Sequence, residues 1–111
     1  MFGLFGRKAV GQISPEDAHR RHTAGEVELV DVREAHEWES GHIPGARHAA
    51  LSTLDAKIHE LPRDRPLVLY CLSGMRSGRA LKMCQNAGFT DVASMAGGIG
   101  AWRHRGYPVR R

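Results

Sequence analysis

The sequence predicts an α/β fold, a parallel sheet layered with helices. Three observations carry that prediction. Short apolar runs alternate with stretches of helical spacing along the chain, which is the order that builds a parallel layered sheet. Two runs, Val27 to Val32 and Leu67 to Tyr70, are mostly unbroken hydrocarbon, as strands buried on both faces are. No linker, internal repeat or low-complexity segment divides the 111 residues, so one domain is expected. It should occupy residues 11–111, with residues 1–10 a flexible tail.

Taken in order, Gln12-Ile13 reads as a short first strand. Ser14-Pro15-Glu16-Asp17 then announces a helix: serine suits the cap, proline the first turn, and the acids complement the dipole. It runs to about Ala24, where Gly25 stops it. Its apolar face is thin, Ala18 with the rings of His19 and His22, so it should lie at the periphery. The Val27–Val32 strand ends in the polar residues Asp31, Arg33 and Glu34. Glu34 to Ser40 reads as a helical turn, Gly41 to Ala46 as a loop, and Arg47 to Ala49 as a strand. Ser52 or Thr53 should cap the next helix, whose buried stripe is Leu51, Leu54, Ile58 and Leu61. After Leu67–Tyr70 and a loop, Ala80, Leu81, Cys84 and Ala87 mark one face of a helix that ends at Gly88. Asp91 to Ser94 is the last strand. Ile99 and Trp102 lie three apart on a closing helical turn that Gly106-Tyr107-Pro108 ends.

Composition narrows the function. The chain is 41% hydrophobic and 25% charged, as soluble globular proteins are. Two cysteines, Cys71 and Cys84, with no C-x-x-C pair, argue against a disulfide scaffold and a thioredoxin-like dithiol. The net charge of +4 reads first as arginines on solvated faces, and second as a pull on small anions. Arg103, Arg105, Arg110 and Arg111 cluster without an aromatic platform, so no nucleic acid is expected. No apolar run approaches the ~20 residues of a membrane span. Met1 to Phe5 precedes its basic residues, the reverse of a secretory leader. A cytoplasmic location follows as the expectation.

The organising stretch is Leu67 to Ala80. A strand meets a helix there through a tight loop that opens with Cys71 and closes with Arg76 and Ser77. Such a loop turns its backbone N–H groups inward, and the following helix adds its positive end. The seat suits an anion, first of all the Cys71 thiolate. Gly74 should supply a positive φ. Ser77 is counted with the substrate-binding loop, although a helix cap alone would be enough to explain it. Asp31 suits a structural pairing with an arginine, and His42 a strut in its Gly-His-Ile-Pro-Gly turn. His19 and His22, without a third ligand, read as surface residues rather than a metal pair. Cys84 and Trp102 read as core. In open parallel sheets the site lies beyond the carboxyl ends of the strands, where Cys71, Asp31 and Arg33 all fall.

Four stretches together resemble the single-domain rhodanese-like sulfurtransferases: Leu29 to Glu34, Gly41 to Ala46, Cys71 to Ser77, and Gly97 to Trp102 with Gly106 to Val109. They stand in that family's order and spacing, from about Ile13 to Val109. The resemblance implies a rhodanese-like fold, a central five-stranded parallel sheet flanked by helices on both faces. It implies that Cys71 takes a sulfane sulfur and holds it as a persulfide, with Leu72, Ser73, Gly74, Met75 and Arg76 as the amide cradle. Arg33 and Arg76 look like the residues that order the loop and make the site positive. Many relatives carry a basic or polar residue where this chain has Leu72, and Met75 is apolar too.

The implied reaction is a double displacement. Cys71 attacks the outer sulfur of a small anionic donor such as thiosulfate, and cyanide, a thiol or a thiol protein then removes it. No cofactor or metal is expected, and no histidine is assigned as a base. A phosphatase or arsenate reductase is the first rival. Dual-specificity phosphatases on a similar fold place five residues between cysteine and arginine, whereas four, Leu72 to Met75, intervene here. A binding or regulatory module is the second rival, but such modules typically lack the cysteine. A persulfide carrier serving a protein partner is the third. The sulfur-transfer reading requires a sulfur open to solvent and amides that face it.

Overall fold

A computed structural model describes residues 11–111; the expected tail at 1–10 lies outside the described residues. Gln12–Ile13 (β1) leads into Pro15–Thr23 (α1), then Glu28–Asp31 (β2), Ala35–Ser40 (α2) and Arg47–His48 (β3). A broken helical stretch follows, α-helical over Leu54–Lys57 (α3). Leu67–Tyr70 (β4), Met75–Asn86 (α4), Val92–Met95 (β5) and Gly98–His104 (α5) complete the order. Ser14 caps α1 as its sequence predicts, accepting from the Asp17 amide at 3.1 Å.

All five strands are parallel, in the order β1-β5-β4-β2-β3. Strand β4 is therefore central, and its unbroken apolar sequence follows from that place. Leu67 and Leu69 face one core layer with Leu54, Ile58, Ala80 and Cys84. Val68 and Tyr70 face the other with Ala18, Ile43, Ile99 and Trp102. Helices thus cover both faces, and the sheet's carboxyl edge carries Asp31 on β2, in register with Tyr70 on β4, with Cys71 the next residue beyond. No helix among the described residues is long and apolar enough to cross a membrane.

Two local expectations need correction. Neither Ser52 nor Thr53 caps a helix through its side chain. The Ser52 hydroxyl donates to Glu34 Oε1 at 2.7 Å, and that of Thr53 to the Ala50 carbonyl at 3.4 Å. Thr53 does stand at the N-cap position of α3, but its side chain makes no cap hydrogen bond there. The histidines of α1 are also more than surface residues. The His19 ring stacks on Tyr107 with centroids 4.0 Å apart and meets the Trp102 ring edge-on. His22 Nε2 lies 2.9 Å from the Pro44 carbonyl.

Candidate active site

Cys71 follows directly on β4, and the chain turns at once. Gly74 makes the turn with φ 115°, a conformation that a Cβ opposes, and stands at the N-cap of α4. Two carbonyls of the turn are taken by α5: the Ile99 amide donates to Cys71 O at 2.8 Å and the Gly100 amide to Leu72 O at 3.1 Å. With those carbonyls held outward, the amides are free to face the sulfur. The Gly74 N–H donates to Cys71 Sγ at 3.0 Å.

Burial pushes the Cys71 thiol up more than any single neighbour pulls it down. The Ser77 hydroxyl and the amides of Ser77, Gly74 and Ser73 together outweigh it, and the thiol lies below its ordinary 9.0. Within the expected run of Leu72 to Arg76, the amides of Ser73 and Gly74 lower the thiol, and that of Ser77 joins them from the first turn of α4. Cys84 has no such donors, and burial pushes it up to about 11, which fits its place in the core.

Ser77 is not a cap. It lies inside the first turn of α4, fully buried, with Oγ 3.6 Å from Cys71 Sγ and 2.7 Å from Ser94 Oγ. Ser94, on β5, was not singled out by its sequence, where it is one polar residue in a strand. For Ser77→Ala we expect the pH profile of Cys71 alkylation to move upward and the rate at neutral pH to fall severalfold. A packing defect alone would leave that profile in place.

The two arginines are placed differently from the expectation. Arg33 is 4% exposed and lies against Asp31, with Nε and Nη2 donating to its carboxylate at 2.8 to 3.1 Å; Nη2 also donates to Gly41 O at 2.6 Å. Burial opposes the Arg33 charge, but the Asp31 carboxylate more than restores it. Arg33 therefore orders the end of α2, not the cysteine loop, and its hydrogen bonds go to protein acceptors. Arg76 forms a bidentate pair with Glu37 on α2, at 2.6 and 2.9 Å. That guanidinium holds the Glu37 carboxyl at about 2 against opposing burial, and Arg76 also feels the Cys71 charge. No local spacing announces Glu37, 39 residues away.

The expected exposure of Cys71 is also corrected: the residue is 1% exposed. The start of the loop is tied to α5 through the Cys71 and Leu72 carbonyls. What the loop turns outward is Leu72, 52% exposed, and Met75, 84% exposed.

Comparison with known proteins points to one family and one fold. The family model for the rhodanese-like domain matches residues 14–105. Thiosulfate sulfurtransferase GlpE of Stutzerimonas stutzeri is 40% identical over 97 residues, covering 87% of each chain. YqhL of Bacillus subtilis, an uncharacterized protein, is 42% identical over 76 residues, 68% of this chain and 60% of its own length. Among solved structures, a rhodanese-related protein of Thermoplasma volcanium superposes with a TM-score of 0.83 at 29% identity, covering 89% of this chain and 96% of that one. A Rhodopseudomonas palustris protein described as a possible tyrosine phosphatase superposes at 0.81 with 32% identity, covering 92% and 86%.

Proposed function

This chain belongs to the rhodanese-like domain family, and from that premise we propose that it is a sulfurtransferase working through a persulfide on Cys71. The observation that carries the reading is the Gly74 amide held 3.0 Å from Cys71 Sγ, with Ser77 beside it. These donors favour the thiolate before any substrate arrives. The thiolate attacks the outer sulfur of a donor such as thiosulfate, a sulfur–sulfur bond forms, and sulfite leaves with the electron pair of the broken bond. Cyanide or a thiol then attacks the outer sulfur of the persulfide and returns the thiolate. The same amides hold the negative charge at each stage. The open sulfur that this reading requires is not what the structure holds, since Cys71 is 1% exposed, so the reading also requires that the residues around Sγ give way when a donor arrives.

Intact-protein mass spectrometry tests the reading. Incubation with a sulfane-sulfur donor should add one sulfur atom, located to Cys71 and removed by cyanide. Phosphate-ester chemistry is the rival that the Rhodopseudomonas palustris neighbour suggests. The ring closed by Gly74 and Ser77 surrounds one sulfur, and the four-residue gap from Cys71 to Arg76 is short for a tetrahedral phosphate. Hydrolysis of an aryl phosphate by the purified chain, without sulfur loading, would overturn the assignment.

A further inference from the structure

The two guanidiniums expected to make the loop positive are both matched by a carboxylate at hydrogen-bond distance, Arg33 by Asp31 and Arg76 by Glu37. Each carboxylate offsets much of its partner's charge at the loop, although Arg76 still feels the charge on Cys71. Arg79 lies one helical turn beyond Met75 and is exposed, so water and salt screen its charge. The outward surface of the loop is hydrocarbon instead. Among the described residues, Leu72 and Met75 are the exposed large hydrophobics, and they flank Gly74, the residue whose amide meets the sulfur.

A thiosulfate dianion gains little here. It would shed water at an apolar rim without an unpaired cation to replace it. A persulfide of an organic thiol, R–S–SH, carries at most one negative charge on its sulfurs, and its carbon group can cover the rim. We infer that the donor for Cys71 is an organic persulfide with an apolar group beside its sulfur, recognised by Leu72 and Met75 in preference to thiosulfate. This rests on the sulfurtransferase reading above. In the step, the Cys71 thiolate attacks the terminal sulfur of R–S–SH. A bond forms between Sγ and that sulfur, the R–S–S bond breaks, and its electron pair leaves as RS⁻. The proton stays on the transferred sulfur, and no external oxidant or reductant is consumed.

The test measures the rate at which the full chain gains one sulfur from an alkyl hydropersulfide generated in solution, and from thiosulfate at equal concentration. Each rate is divided by that of free cysteine with the same donor, which removes intrinsic reactivity. The normalised preference for the alkyl persulfide should be roughly tenfold or more, the ratio that ~1.4 kcal/mol of differential contact gives. Leu72→Arg and Met75→Arg change exposed side chains and should each lower that preference severalfold by accelerating thiosulfate. Equal normalised rates in the wild-type chain, or a preference unmoved in both variants, would overturn this inference and leave the sulfurtransferase reading standing. Loading by neither donor would overturn that reading itself.

Discussion

Cys71→Ser is expected to abolish sulfur transfer and leave the fold in place. A serine hydroxyl at this position cannot form the sulfur–sulfur bond on which both half-reactions depend, and the amide seat cannot bring it to an anion near neutral pH. The fold should tolerate the change. The side chain sits at the inner edge of a core layer, 1% exposed, but the Gly74 amide and the Ser77 hydroxyl remain as partners for the new oxygen. The stability change should stay within about 1–2 kcal/mol, the ordinary range for one buried hydrogen-bonding substitution. Steady-state turnover and thermal unfolding measured on the same preparation decide the matter. Turnover near the wild-type rate would remove Cys71 from the reaction.

Gly98→Ala carries the largest expected effect on stability. An added Cβ would stand 2.4 Å from Cys71 O and 2.5 Å from both the carbon and oxygen of the Leu72 carbonyl, all of them backbone atoms. No flexible side chain is there to move aside. The residue also holds φ at +60°, which costs a residue with a Cβ about 1–3 kcal/mol where the fold enforces it. Overpacking adds about 1–3 kcal/mol more, so urea unfolding should show a loss of about 2–6 kcal/mol. Thiol reactivity should fall with it, because the displaced carbonyls are those that α5 holds away from the sulfur. Gly78→Ala serves as the control. It lies within α4 with nothing near its added Cβ, and alanine is the better helix former by roughly 1 kcal/mol. Equal effects from the two substitutions would sink the steric account.

Much of this architecture was legible in the sequence because strands buried on both faces have to be written in hydrocarbon. Val27–Val32 and Leu67–Tyr70 announced the middle of the sheet, and the glycines at 74, 88 and 97–98 marked where elements turn. Cys71 was legible for the same reason: a nucleophilic residue type stood where a buried strand stops. What stayed hidden depends on partners far along the chain. Ser77 looked like a cap because a serine at the start of a helix usually is one, and only the strand pairing reveals Ser94 beside it. The pairing of Asp31 with an arginine was legible, but that it would claim Arg33 was not, and nothing local names Glu37 as the partner of Arg76. Exposure was hidden as well, since the start of the loop is tied to amides from a helix that begins at Gly98.

Those distant amides bear on how the reactive thiol comes into being during synthesis. The turn after Cys71 is held by residues nearly thirty positions later, and its serine by a strand that pairs only once β4 is set. A peptide cut to residues 67–86 would carry every residue of the loop and still titrate as an unperturbed cysteine. Reactivity is therefore a reporter of folding: a chain whose α5 has not docked should carry an ordinary cysteine, and the more acidic thiol should arrive only with the contacts that hold the turn.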